Sequence, residues 1–220
     1  MARCFVTRHL PGTALERLAA EHELDLWSLE RPPVRDELLA RVRDADALLS
    51  QLGERVDVEL LEAAPRLVAV ANYAVGFDNV DLRAASERGI PVGNTPGVLT
   101  EATADIAFAL MLSAARRLPE GEQAVRRGDW GWEPDFLLGH DVHGATLGIV
   151  GLGRIGSAVA RRAEGFGMDV IHHARVGGVP LPDLLERSDF VSLHAPLTPD
   201  TRGMIGEAEL RAMKDTAILV

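Results

Sequence analysis

The chain has 220 residues, 47% of them hydrophobic and 25% charged, which is the profile of a folded globule rather than a disordered polymer. Its net charge of -10 argues against a surface built to neutralise nucleic-acid phosphates, since that task concentrates Lys and Arg. One cysteine, Cys4, excludes an intrachain disulfide and any Cys-based metal site, and no apolar run approaches the roughly 20 residues that span a bilayer.

Short strands and helices alternate through the first half. Residues 4–7 form an apolar strand, in which Cys4 reads as a packed thiol. Residues 14–22 have helical spacing, 24–27 read as a strand, 35–43 as an amphipathic helix and 47–50 as an apolar strand. Helix 58–64, strand 67–71, helix 82–88 and the short strand 91–93 complete the series. Such alternation implies a parallel sheet with helices on both faces. The Pro and Gly of Asn94-Thr95-Pro96-Gly97 break it.

One long apolar helix is then expected over 99–118, opened by Thr100 and Glu101 and rich in small residues such as Ala104 and Ala107. The polar, aromatic stretch from Gly128 to Pro134, with Trp130 and Trp132, reads as an arm or docking loop. A second unit follows: strand 147–150, helix 154–166, strand 169–173, helix 181–187, strand 190–193, helix 207–213 and strand 217–220. A doubly wound nucleotide domain has about six strands. This one ends on Ile218-Leu219-Val220, so the reading is of a domain truncated after its fourth strand, lacking about 90 residues. With no basic-then-apolar leader pattern, a soluble cytoplasmic protein is expected.

The strongest motif is Gly151-Leu152-Gly153-Arg154-Ile155-Gly156, directly after the strand 147–150 and opening a helix. Gly151 permits the tight turn, Gly153 lets backbone approach a pyrophosphate, and Gly156 lets helix and strand pack closely. The helix N-terminus adds free N–H groups and a positive dipole end. An NAD site expects Asp or Glu at the end of the second strand for the ribose 2′-hydroxyl. Here Ile171-His172-His173-Ala174-Arg175 has none, and Asp169 lies at the wrong end. Arg175 instead suits a 2′-phosphate, so NADP is favoured with NAD possible. The short stretch 176–182 trims the loop beside that ribose.

Four motifs in order give the chain a resemblance. They are Tyr73-Ala74-Val75-Gly76-Phe77-Asp78-Asn79-Val80-Asp81, the run from Asn94 to Asp105, the glycine motif, and His194-Ala195-Pro196-Leu197-Thr198-Pro199-Asp200-Thr201. Over its whole length the chain resembles the D-isomer-specific 2-hydroxyacid dehydrogenases, most closely the glyoxylate/hydroxypyruvate reductase branch. The resemblance implies an α/β protein of two domains. Residues 1–95 would be a flavodoxin-like substrate-binding domain. Residues 96–220 would be the Rossmann-type NAD(P)-binding domain, incomplete and including the interdomain helix. Backbone N–H groups of Val75 and Gly76 would hold the substrate carboxylate, a task for which glycine suits the backbone, with Leu52 closing over it. Gly153, Arg154 and Ile155 would contact the pyrophosphate, Pro196 and Thr201 would shape the pocket after the third strand, and Thr103 would lie near the nicotinamide.

The same resemblance places the catalytic Arg, Glu and His beyond Val220, leaving no catalytic residue within the chain and no general acid for hydride transfer. His194 then reads as lining or packing near the cofactor. His140 and His143, with Asp141 between them, lack a third convincing ligand, so no metal is expected, and His172 and His173 flank the ribose region without chemistry. The implied activity of the intact protein is NADPH-dependent reduction of glyoxylate or hydroxypyruvate by a homodimer joined through the nucleotide domain. Two alternatives stand beside it: an NAD-dependent glycerate or phosphoglycerate dehydrogenase, and a nucleotide-sensing corepressor that does not turn over substrate.

Overall fold

The computed structural model describes residues 1–129 and 131–220. They form two units, Met1–Gly97 and Val98–Val220.

In the first unit β1 (Arg3–Val6), α1 (Ala14–Glu21), β2 (Glu23–Leu26), α2 (Arg35–Val42), β3 (Ala47–Ser50), α3 (Val58–Ala63), β4 (Ala69–Asn72), α4 (Leu82–Glu87) and β5 (Val92–Gly93) follow one another. The sheet order is β2-β1-β3-β4-β5, all parallel, which is the flavodoxin-like winding. Side chains alternate between faces along each strand. Phe5, Leu48 and Val70 therefore pack with Val42, Leu60 and Leu61, while Val6 joins Leu10 and Leu15 in a separate cluster. Helix starts are set locally: Asp57 accepts the Leu60 N–H at 3.2 Å, and Asp81 accepts the Ala84 N–H at 2.9 Å.

The second unit opens with α5 (Thr100–Ala115) and α6 (Leu118–Arg127), then β6 (Thr146–Val150), α7 (Arg154–Glu164), β7 (Asp169–His173), α8 (Leu181–Arg187), β8 (Phe190–Leu193), α9 (Glu207–Ala212) and β9 (Ile218–Leu219). The single helix expected over 99–118 is corrected here. It ends at Ala115, Arg117 turns through a left-handed φ of 51°, and a new helix starts with Pro119 in its first turn. Proline fits there because the first N–H groups of a helix lack partners anyway. The Gly139–His140 backbone seals the end of α5, with the His140 N–H donating to the Ala115 carbonyl at 2.8 Å. Trp130 falls outside the described residues, and Trp132 is exposed.

The parallel sheet of this unit runs β7-β6-β8-β9. Leu147 and Ile149 of β6 face α5 and α7, packing with Met111, Phe108, Ala158 and Val159. Val150 faces the other way, onto Leu184 and Leu185 of α8. Helices α5 and α7 are also tied by charge, since Arg162 donates to Glu101 at 2.9 Å and to Asp105 at 2.8 Å. Consecutive strands β6 and β7 lie to one side and β8 to the other, so the winding reverses between β6 and β8. Ligands of open α/β sheets bind outside the carboxyl ends of the strands at such a reversal.

Candidate functional site

In the first unit, the turn after β4 carries Val75 and Gly76. Its carbonyls are occupied: Asn94 Nδ2 donates to the Val75 carbonyl at 2.9 Å, and Asn72 Nδ2 to the Gly76 carbonyl at 2.9 Å. The Thr95 N–H holds the Ala74 carbonyl, also at 2.9 Å. Among the described residues, the amides of Val75 and Gly76 have no acceptor. A turn pinned by its carbonyls with its N–H groups uncommitted offers hydrogen-bond donors to an anion. Two side chains meet it: where a β-carbon on Gly76 would stand, Asp78 Oδ1 lies at 3.2 Å and the Leu52 methyl carbon at 3.8 Å. The structure thus brings all three expected substrate residues together. Leu52, Tyr73 and Phe77 are each about half exposed and give the place an apolar rim.

In the second unit, the glycine motif lies at the carboxyl end of β6. Gly151 has φ +95°, and a β-carbon on it would meet the Ala195 nitrogen at 2.7 Å. Here the turn after β6 presses on the loop after β8, and only glycine fits. At Gly156 an added β-carbon would stand 2.2 Å from the Gly151 carbonyl and 3.1 Å from Ile149, which is the close helix–strand approach the motif implies. Gly153 is different. It is exposed, caps α7, and nothing lies within 4 Å of its hypothetical β-carbon. Open space over bare backbone at the start of an eleven-residue helix fits a pyrophosphate. Arg154 is exposed beside it, and Ile155 packs against the core beneath.

The loop after β8 is a closed turn. Thr201 Oγ1 lies 2.6 Å from the Pro196 carbonyl and accepts the Thr198 N–H at 2.8 Å. Thr201 therefore acts inside the loop, fixing the exposed Pro196. His194 is half-buried, and its Nε2 lies 2.8 Å from the buried Ser192 hydroxyl. Burial pushes its pKa below the usual histidine value. Thr103 is exposed on the first turn of α5.

Beyond β7 the chain doubles back. The Val179 N–H donates to the His172 carbonyl at 2.8 Å, and His173 Nδ1 lies 2.9 Å from the Val179 carbonyl. Gly178 at φ +83° makes this possible, because a β-carbon there would meet the His172 carbonyl at 2.2 Å. Arg175 projects from this turn, exposed and without an ion-pair or hydrogen-bond partner among the described residues. His140, Asp141 and His143 line a small hollow with Asp189 at the opposite, N-terminal end of β6. Among the described residues no group of three or more His, Cys, Asp or Glu is arranged to hold a metal ion. No helix there is long and apolar enough to cross a membrane.

Asn79 and Asn94 lie within the motifs and Asn72 directly before one; the sequence assigns none of the three a task, although Asn72 and Asn94 hold the anion turn. A hint was present: three asparagines in strand-end and turn segments have side chains that bond backbone readily.

Residues 108–220 match the family model described as the D-isomer specific 2-hydroxyacid dehydrogenase, NAD binding domain. A glyoxylate reductase of Korarchaeum cryptofilum is 54% identical, over 99% of this chain and 70% of its own. The TT0316 protein of Thermus thermophilus is 48% identical, with a TM-score of 0.91 over 99% of this chain and 72% of its own. An acyclic imino acid reductase, solved with NADPH and D-Arg, is 25% identical, with a TM-score of 0.87 over 99% of this chain and 73% of its own.

Proposed function

Because the chain belongs to the D-isomer specific 2-hydroxyacid dehydrogenases, and so to the NAD(P)-dependent enzymes that interconvert 2-oxo and 2-hydroxy acids, we propose that the reaction of the intact protein is the NADPH-dependent reduction of glyoxylate or hydroxypyruvate to the D-2-hydroxy acid. The observation that carries the substrate class is the Val75–Gly76 turn, with carbonyls pinned and amides free, facing Leu52. Two adjacent uncommitted N–H groups suit one small carboxylate. The Leu52 side chain beside them excludes water and limits the length of the acid's other end.

In this reading Met1–Gly97 is the substrate-binding domain and Val98–Val220 the nucleotide domain. Gly153, Arg154 and Ile155 hold the pyrophosphate at the start of α7, where the free N–H groups and helix dipole favour negative charge. Gly151 and Gly156 keep that loop flat, Pro196 borders the nicotinamide end with Thr201 bracing it, and Thr103 of α5 approaches the same end. A reduced nicotinamide supplies the hydride when bound. Arg175 selects its 2′-phosphate: an exposed, unpaired guanidinium at the end of β7, where an NAD enzyme would place a carboxylate, favours NADPH. The family model's description names NAD, and the imino acid reductase was solved with NADPH.

Ile106 and Leu110 of α5 and Val125 of α6 stand exposed. We read them as part of a face by which two copies of the nucleotide domain associate as a homodimer. The direct test of the function is turnover of glyoxylate, hydroxypyruvate and phosphohydroxypyruvate by the intact protein with each nicotinamide. Reduction of the first two with NADPH supports the reading. Turnover of the phosphorylated acid alone, or nucleotide binding with no turnover of any oxo acid, would replace it.

A further inference from the structure

Leu52 is the wall of the oxo-acid site, yet it is 55% exposed, so core packing does not hold it in place. Its position is set by the backbone of the turn from Gln51 to Glu54. That turn is anchored from beneath by one buried carboxylate. Glu54 is only 3% exposed, and its Oε2 accepts the Gln51 N–H at 2.6 Å and the Thr7 hydroxyl at 3.1 Å. Among the described residues it has no ion-pair partner. Burying a carboxylate with no cation beside it is costly, and here the bonds it makes go to a strand-end hydroxyl and to the backbone of the Leu52 turn.

The same turn is joined to the anion turn. Asn79 Nδ2 donates to the Gln51 carbonyl at 3.0 Å and to the Glu54 carbonyl at 2.9 Å. Asn79 Oδ1 lies 3.2 Å from Asn72 Nδ2, which in turn holds the Gly76 carbonyl. A continuous path of hydrogen bonds therefore runs from Thr7 and Glu54, through Gln51, Asn79 and Asn72, to Gly76. Both the donors for the substrate carboxylate and the apolar wall facing them depend on it.

We propose that Glu54 is a positioning residue for the oxo-acid site: by holding the Gln51–Glu54 turn it sets how far Leu52 stands from Gly76, and so which 2-oxo acid fits. This rests on the substrate reading above. The test uses the intact protein and compares wild type with Glu54→Ala, Glu54→Gln and Thr7→Val. Glutamine keeps an acceptor oxygen for the Gln51 amide, alanine removes it, and valine removes only the Thr7 bond. Glu54→Ala should raise the glyoxylate KM at least fivefold, with kcat and the NADPH dissociation constant within twofold of wild type. It should also raise the kcat/KM ratio of 2-oxobutyrate to glyoxylate at least threefold. Glu54→Gln should stay within twofold on every count. Thr7→Val should fall between and serves if Glu54→Ala does not fold.

Unchanged KM and selectivity in Glu54→Ala and Thr7→Val would overturn the assignment, as would a fall in kcat alone or Glu54→Gln being as impaired as Glu54→Ala. Amide hydrogen exchange keeps this separate from the function itself. If wild type reduces no 2-oxo acid, the substrate reading fails. Faster exchange confined to residues 51–54 and 75–76 in Glu54→Ala, absent in Glu54→Gln, would still support the loop role. Unchanged exchange would end it.

Discussion

Gly156 stands so close to Gly151 that a β-carbon on it would lie 2.2 Å from the Gly151 carbonyl oxygen. The obstruction is backbone at the end of a central strand, which cannot swing aside as a side chain can. Gly156→Ala is therefore expected to destabilise the nucleotide domain by about 1–3 kcal/mol through overpacking. Gly153→Ala meets nothing within 4 Å and should change stability by less than ~1 kcal/mol. Its added methyl instead fills the space over the helix start, and the NADPH dissociation constant should rise at least tenfold. Thermal melts with and without nucleotide check both, and equal loss of stability in the two variants would contradict the different roles given to these glycines.

Arg175 is exposed and unpaired among the described residues, so its removal should not disturb the fold. Arg175→Ala is expected to weaken NADPH binding about tenfold, equivalent to ~1.4 kcal/mol, and to leave NADH binding within twofold. Fluorescence titration of both nucleotides measures it. NADH binding ten times tighter than NADPH in wild type would refute the NADP assignment.

Asn94 Nδ2 to the Val75 carbonyl, at 2.9 Å, is one of the two side-chain bonds that fix the anion turn. Asn94→Ala removes one partly solvated hydrogen bond and should cost about 0.5–1.5 kcal/mol of stability. The glyoxylate KM should increase several-fold with kcat nearly preserved, because the turn's amides lose alignment while the nicotinamide site is untouched. Steady-state kinetics at saturating NADPH decides it, and a KM equal to that of wild type would show that Asn94 does not align the turn.

His194 gives a pH dependence with a definite sign. Burial lowers its folded pKa below the ordinary value of 6.5, so the unfolded chain binds the proton more readily. Its contribution to stability is thus complete above pH 6.5 and is lost as pH falls through the depressed folded value. Urea midpoints measured downward from pH 7 should decline over that window, and His194→Gln should flatten the decline. Glu37 acts in a separate range. The Arg31 guanidinium, with help from the Val34 N–H, holds its pKa at about 2. Its contribution is present above pH 4.5 and disappears as pH approaches 2. A decline between pH 7 and 5 that is unaltered by His194→Gln would reject the assignment to His194.

The amino-acid order alone carried the alternation of strand and helix, since periods of two and 3.6 residues are local properties. It also carried the roles of Gly151 and Gly156, because backbone pressed against backbone leaves no room for a β-carbon at either, whatever the surrounding fold. Asp57 and Asp81 reach N–H groups three residues on, a bond short enough to be legible in sequence. The break between α5 and α6 was marked by Pro119, but the apolar run around it looked continuous. What tertiary structure decided was longer in range. Asn79 reaches Gln51 across 28 residues and Thr7 reaches Glu54 across 47, and no periodicity foretells such pairs. The order of strands brings the ends of β1, β3 and β4 side by side, and only that adjacency turns a buried Glu, a Thr and two Asn into the support beneath Leu52 and Gly76.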